Sequence, residues 1–356
     1  MSDEGRPLTL GVIVCCRDEE RVIERRLRNL ALSRWPQSER PHVVAVVDDG
    51  SRDRTAKIAL EIGKSVFPAN VRFEVVANGI RPGKSGAIAS GLAQLDSRVD
   101  LIVLTDADVI HDPSALVELT QAFRADSRIG MACGSQTFVK ALPWDGTLDE
   151  SLTRNCGSLY DRWTAWVRRL ESRSGRVFSV HGQLLAWRAE LNLSPKSRLA
   201  ADDLDLMRQV RSKGMRVEHE ARARFFELRP WTSELRRAQA VRRARAYLQF
   251  ARTLELAEAG DRSTRLQWWA YKHLPPAFPW IAALGFLAVV VAGAVLLWQL
   301  QAEFIPYKRP PLAAPLVWLL LARWLGRGLW NWLSVIEEAR QQERTARMDD
   351  RWSTAR

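Results

Sequence analysis

The sequence predicts an α/β fold, a mostly parallel sheet domain followed by C-terminal transmembrane helices, and three observations predict it. Short apolar runs alternate with helical patterns through the first half of the chain. Acidic and glycine-rich clusters fall at the carboxyl ends of those runs. A nearly uninterrupted apolar stretch occupies residues 278–298, long enough to cross roughly 30 Å of hydrocarbon at about 1.5 Å per residue.

Taken in order, strand-like runs at 8–15, 43–47, 71–77, 101–105 and 129–133 are separated by helical patterns at 19–32, 54–62, 85–95 and 113–123. Strands with helices of about ten residues between them read as a sheet covered on both faces. Such sheets bind ligands beyond their strand ends. Beyond residue 142 the periodicity blurs, with a helix expected over 148–172. A helix opened by Asp202 and Asp203 and stopped by Gly214, a strand over 215–221 and an arginine-dense helix over 233–254 follow. The second hydrophobic stretch, 312–333, is interrupted by Arg323 and Arg327, which lie on one face of a helix and must snorkel, face a polar cavity or mark a helix that lies shallow. The expected division is a catalytic domain over 1–255, an interfacial linker helix over 256–275, a membrane hairpin over 276–336 and a polar cytosolic tail over 337–356.

The 356 residues leave room for one domain of about 250 residues and a membrane appendix. A net charge of +12 with 15 tryptophans, many near the apolar C-terminus, fits an anionic membrane surface. No nucleic-acid-binding motif accompanies the charge, so no nucleic acid partner is expected. Cys15, Cys16, Cys133 and Cys156 lack metal or disulfide spacing and read as core thiols of a reducing compartment. Residues 1–10 carry no signal-peptide core, so the catalytic domain is expected in the cytosol, at the inner or plasma membrane.

Thr105-Asp106-Ala107-Asp108 is the sharpest chemical signal. Two carboxylates at i and i+2 on a loop suit one hard divalent cation, although an Asp-x-Asp by itself is also an ordinary solvated turn. Asp48-Asp49-Gly50-Ser51 offers acceptors for a base or ribose, or else a helix cap. Arg81-Pro82-Gly83-Lys84-Ser85-Gly86 joins a cation, backbone amides and a helix N-terminus, an arrangement that favours diphosphate. A rival reading as an ATPase phosphate loop needs Gly at position 78, which is Asn. Asp202 and Asp203 at a helix mouth can supply a base or cap the helix. The cluster around Arg242 can neutralise a diphosphate, touch lipid or form a solvated face.

In this order the motifs resemble those of the family 2 glycosyltransferases, especially the membrane-bound branch that includes cellulose, chitin and hyaluronan synthase-like proteins, over roughly residues 8–250. Cys16-Arg17-Asp18-Glu19-Glu20 stands where the family has Asn-Glu-Glu. Val47 to Ser51 looks like the nucleotide-binding acidic motif, Gly83 to Ala87 like Gly-Lys-x-x-Ala, and Asp106-Ala107-Asp108 like the metal motif. His181-Gly182 to Arg188 is similar to a glycine-then-arginine acceptor segment, and Ala201-Asp202-Asp203 to Thr-Glu-Asp. The resemblance implies a GT-A fold and an inverting transfer from a nucleoside diphosphate sugar, a UDP-sugar first. It assigns Asp203 as base and Asp18, Glu19, Asp48, Asp49, Lys84 and Asp106 to the donor. Asp106 and Asp108 go to Mg or Mn, and Gly182, Asp202, Gln239, Arg242 and Arg243 to acceptor and diphosphate. Gln239-Ala-Val-Arg242-Arg243 has Arg where processive members carry Trp. Transfer to a lipid-linked or glycan acceptor is therefore expected before processive synthesis, with an inactive nucleotide-sugar-binding scaffold as a further alternative.

Overall fold

The computed structural model describes residues 7–95, 99–149, 153–196, 199–230, 232–304 and 313–345. Four strands, β1 (Leu10–Cys16), β2 (His42–Asp48), β3 (Val71–Ala77) and β4 (Leu101–Asp106), pair in parallel. Their Val- and Leu-rich segments are apolar on both faces because helices cover both sides. These helices are α1 (Ile23–Ala31), α2 (Thr55–Val66) and α3 (Lys84–Leu95). In α1, Ile23, Leu27 and Leu30 recur at helical spacing and are fully buried, with Arg26 among them.

The second half of the sheet is mixed rather than parallel. The order is β3-β2-β1-β4-β7-β6-β8-β5, with β5 (Ile110–His111), β6 (Ile129–Val139), β7 (Leu185–Arg188) and β8 (Arg216–Leu228). β7 runs antiparallel to both β4 and β6, and β5 antiparallel to β8. Both antiparallel strands are short, at 4 and 2 residues, and neither carries enough alternation to be seen in the sequence. α4 (Ala115–Ala125) lies between β5 and β6.

The helix expected over 148–172 is instead α5 (Leu159–Arg173). Ser158 and Asp161 form a capping box that fixes its start, and Asn155 and Cys156 are held outside it by hydrogen bonds to Gly157 and Phe138. α6 (Asp202–Ser212) follows as expected and ends beside Gly214, whose φ is +75°. Cys15, Cys16 and Cys133 are buried and Cys156 is partly buried, all as free thiols.

The chain divides into two compact units. The first, within Met1–Thr232 and Ala257–Thr264, holds the sheet. The second, Ser233–Leu256 and Arg265–Arg347, contains α7 (Ser233–Thr253), most of α8 (Arg262–Phe304) and α9 (Ala313–Thr345). Within it Val241 and Leu248 of α7 meet Ala339 and Val335 of α9, and Arg237–Glu338 and Arg252–Glu343 ion pairs flank that seam at 2.7 and 2.6 Å. α7 therefore groups with the C-terminal helices, and α9 runs unbroken into the segment read as a tail. No single described helix is long and apolar enough to cross a membrane, so the expected transmembrane helices are not established as such. One bent pair, Arg262–Ala277 and Trp280–Leu296 at 55°, meets the length and composition requirement together. The turn of the expected hairpin, 305–312, and the end of the tail, 346–356, lie outside the described residues.

Candidate active site

β4 delivers Asp106 to the carboxyl edge of the sheet, and the α3 N-terminus delivers Lys84 to the same place. Lys84 Nζ is 2.8 Å from Asp106 Oδ1 and 3.8 Å from Asp202 Oδ2. Asp202 and Asp203 open α6. Gly182 lies in the gap between these groups, since a Cβ built on it would stand 3.6 Å from Asp203 Oδ2 and 3.7 Å from Lys84 Nζ. Residues 84, 106, 182, 202 and 203 thus come from four separate segments to one point.

The electrostatics there are tense. Burial opposes the Lys84 charge, but Asp106 and Asp202 outweigh it and hold the ammonium firmly protonated. Asp202 is pushed up to about 6, first by burial, with Lys84 opposing and Asp203 and Asp106 adding to the rise. Its buried Oδ2 accepts no hydrogen bond. Asp203 is also raised, chiefly by burial, against the pull of Lys84 and of hydrogen bonds from the Leu204 and Gly182 amides. Of the two, Asp203 is the more accessible to solvent. One lysine therefore serves an acid cluster with more charge than it can balance.

Asp108 follows two residues after Asp106. Burial, then Asp106, then Glu227 push its carboxyl up to about 7. Glu227 on β8 accepts from the Gln136 and Gln183 amides. Hard oxygen donors crowded enough to raise a carboxyl in this way are the donor set a divalent cation suits. Among the described residues no group of three or more His, Cys, Asp or Glu has metal-holding geometry. An ion on Asp106 and Asp108 would therefore draw further ligands from a bound phosphate or water.

The other predicted acids are occupied differently. Asp49 accepts from the Gly83 amide at 2.9 Å, from Asn78 and from Arg17. It therefore takes one of the amides expected to face a diphosphate. Asp48 closes its own turn onto Ser51. Asp18, in the left-handed region at φ 54°, accepts from the Arg52 amide at 2.7 Å, and the amide of buried Glu19 donates to Thr55 Oγ1 at 2.7 Å. The start of α2 is served by Asp53, which accepts from the Thr55 amide. Arg188 is buried, bonded to the Ile129 and Phe123 carbonyls, and does not reach toward an acceptor. Gln239, Arg242 and Arg243 lie on α7, in the second unit.

Residues 7–246 match the glycosyltransferase-like family 2 sequence profile. The chain belongs to that family. This disposes of the ATPase reading, and the structure of this glycosyltransferase is similar to known ones. A mannosyltransferase from Pyrobaculum calidifontis, solved with GDP-mannose and manganese, superposes with a TM-score of 0.64 at 21% identity over 97% of this chain and 89% of that one. At such identity the likeness speaks for the fold. The 4,4'-diaponeurosporenoate glycosyltransferase of Staphylococcus haemolyticus is 33% identical over 124 residues, 35% of this chain and 30% of that protein. The poly-β-1,6-N-acetyl-D-glucosamine synthase of Staphylococcus epidermidis is 24% identical over 126 residues, 35% and 28% respectively. The aligned region is less than a third of either curated relative's length.

Sequence reasoning missed the layer beneath the glycosyltransferase acids. The guanidinium of fully buried Arg26 donates to Thr105 Oγ1 at 2.8 Å and to Asn29 Oδ1 at 2.9 Å, and approaches the His111 ring. Thr105 Oγ1 donates in turn to the Gln183 carbonyl at 2.8 Å. Burial lowers Arg26 to about 9, while Asp106 and Asp108 favour its charge. A signal was present, because Arg26 shares the spacing of Ile23, Leu27 and Leu30 on the apolar face of α1. Glu227 and Gln183 carried no such mark.

Proposed function

We propose that this protein transfers a single sugar, with inversion, from a nucleoside diphosphate sugar to a lipid-linked or membrane-associated acceptor. The observation that carries the reading is the convergence of Asp203, Lys84 and Asp106 around the side-chain-free position of Gly182. There Asp203 is the base that takes the proton of the acceptor hydroxyl, in a space that Gly182 leaves open for the sugar. The hydroxyl oxygen bonds to the anomeric carbon from the side opposite the diphosphate, and the leaving oxygen departs with the electron pair. Lys84, held charged, is placed to exchange a carboxylate partner for a phosphate oxygen. Mg or Mn on Asp106 and Asp108 would supply electrostatic stabilisation of the departing nucleoside diphosphate. The mannosyltransferase of similar fold, solved with GDP-mannose and Mn, supports this assignment.

Attachment at the cytosolic face of the cell membrane is part of the proposal. Trp280, Ile281, Leu284, Leu287, Leu296 and Trp298 are exposed along α8, and a helix apolar on all sides is at home in lipid. The relative acting on 4,4'-diaponeurosporenoate supports transfer to a discrete acceptor, whereas the polysaccharide synthase keeps processive synthesis as the second reading. Membranes containing the protein, incubated with radiolabelled UDP- and GDP-sugars with and without Mg or Mn, should move label into an organic-soluble fraction. Label in a polymer favours the second reading. Label that moves equally with Asp203→Asn, or in metal-stripped membranes, overturns the site as assigned.

A further inference from the structure

α5 is an amphipathic helix turned outward. Leu159, Trp163, Trp166 and Leu170, spaced i, i+4, i+7, i+11, form one stripe, and all four are exposed, Leu159 at 79% and Trp163 at 59%. The two indoles lie against each other with centroids 5.0 Å apart. Arg162, Arg169 and Arg173 follow the same rhythm, offset by roughly 70° around the helix, and are exposed too. The carboxylates of the helix are engaged elsewhere. Asp161 closes the capping box with Ser158, and Glu171 accepts from the Phe178 amide. Arg168 on the opposite face is buried and donates to the Ser179 carbonyl at 3.2 Å. The helix therefore anchors itself through its polar side and presents its apolar side to the outside.

We infer that α5 is a docking surface for an anionic lipid bilayer, independent of the C-terminal helices. Large apolar patches on a soluble surface mark interaction sites. The composition selects the partner, since tryptophan favours the bilayer interface and a row of arginines beside it complements anionic headgroups. The stripe from Leu159 to Leu170 runs roughly 16 Å, enough for one helix lying in the headgroup plane. α5 leads through Ser174 and Gly175 into the segment that carries Gly182. A docked α5 would therefore bring the acceptor side of the site to the membrane surface. The inference rests on the membrane reading above only in that a bilayer must be within reach.

The test uses the full chain with Cys156→Ser and Trp163→Cys, labelled at position 163 with an environment-sensitive fluorophore. Vesicles of phosphatidylcholine, alone or mixed with phosphatidylglycerol, carry lipids spin-labelled near the headgroup. The expected result is flotation with vesicles and quenching of the label, stronger with phosphatidylglycerol. Changing Arg162, Arg169 and Arg173 to Gln should reduce the docked-to-undocked ratio roughly fivefold for each arginine removed. Thermal unfolding midpoints would show that the variants are folded. Flotation without quenching overturns the α5 inference and leaves membrane attachment standing. Failure to float overturns both. Quenching indifferent to phosphatidylglycerol or to the arginines overturns the anionic-surface assignment. A spectral shift of the label with protein concentration and no vesicles would assign the face to a second copy of the chain instead.

Discussion

Two groups of acids lie along the same sheet edge, and they are treated in opposite ways. After β1 and β2, Asp18, Asp48 and Asp49 accept hydrogen bonds from the Arg52, Ser51 and Gly83 amides and knit three loops together. At the end of β4 and the start of α6, Asp106, Asp202 and Asp203 face one another across a single lysine. A carboxylate that collects backbone amides holds a loop, and one crowded by other carboxylates is set to receive a ligand or a proton. The motif letters alone do not separate the two.

The largest effect is expected at Asp203. Asp203→Asn should lower kcat by two or more orders of magnitude with donor affinity nearly intact. Equal losses in turnover and donor binding, by steady-state kinetics and isothermal titration, would make Asp203 a helix cap. Next is Lys84→Met, which leaves Asp106 and Asp202 without their counter-charge. Donor affinity should fall at least about tenfold, one close charge-assisted contact being worth about 1.5–3 kcal/mol. An unchanged Kd for a nucleoside diphosphate would remove Lys84 from the donor site.

The third expectation is one of pH. Asp108 and Asp202, raised to about 7 and about 6, hold protons more tightly folded than unfolded. Their contribution to stability is complete below the unfolded value of about 4 and is lost as pH rises through 6 and 7. Asp108→Asn should therefore raise the melting temperature of the metal-free protein by a few degrees at pH 8 and by much less at pH 4.5. Divalent cation should stabilise the unmutated protein more at pH 8 than at pH 5. An equal gain at both pH values would place the Asp108 strain elsewhere. The smallest effect is at Asp49. Asp49→Asn retains an oxygen for the Gly83 amide and should cost about 1 kcal/mol in urea unfolding, with kcat nearly unchanged.

The sequence carried the parallel half of the fold and the motif positions well. Buried parallel strands write themselves as Val-rich runs, as in His42–Asp48, and the acidic motifs sit at strand ends or helix mouths. It carried the mixed half poorly. Residues 185–188 and 110–111 become strands only because neighbours already in the sheet offer them edges. Roles were less legible than positions, since Asp49 and Asp106 look alike until their partners are known. Glu227 reaches Asp108, and Gln183 reaches Glu227, by tertiary placement alone.

The antiparallel insertion of β7 between β4 and β6 has a consequence for the order in which the chain is made. A ribosome delivers β4 some eighty residues before Leu185–Arg188, so one edge of an apolar strand waits without its partner while the intervening chain emerges. Unpaired edges of this kind recruit strands from other molecules. High-level expression should accordingly fail by aggregation of nascent chains before it fails by instability of the finished protein, and slowing synthesis or supplying a chaperone that covers apolar segments should recover more soluble enzyme than lowering the temperature of the purified product.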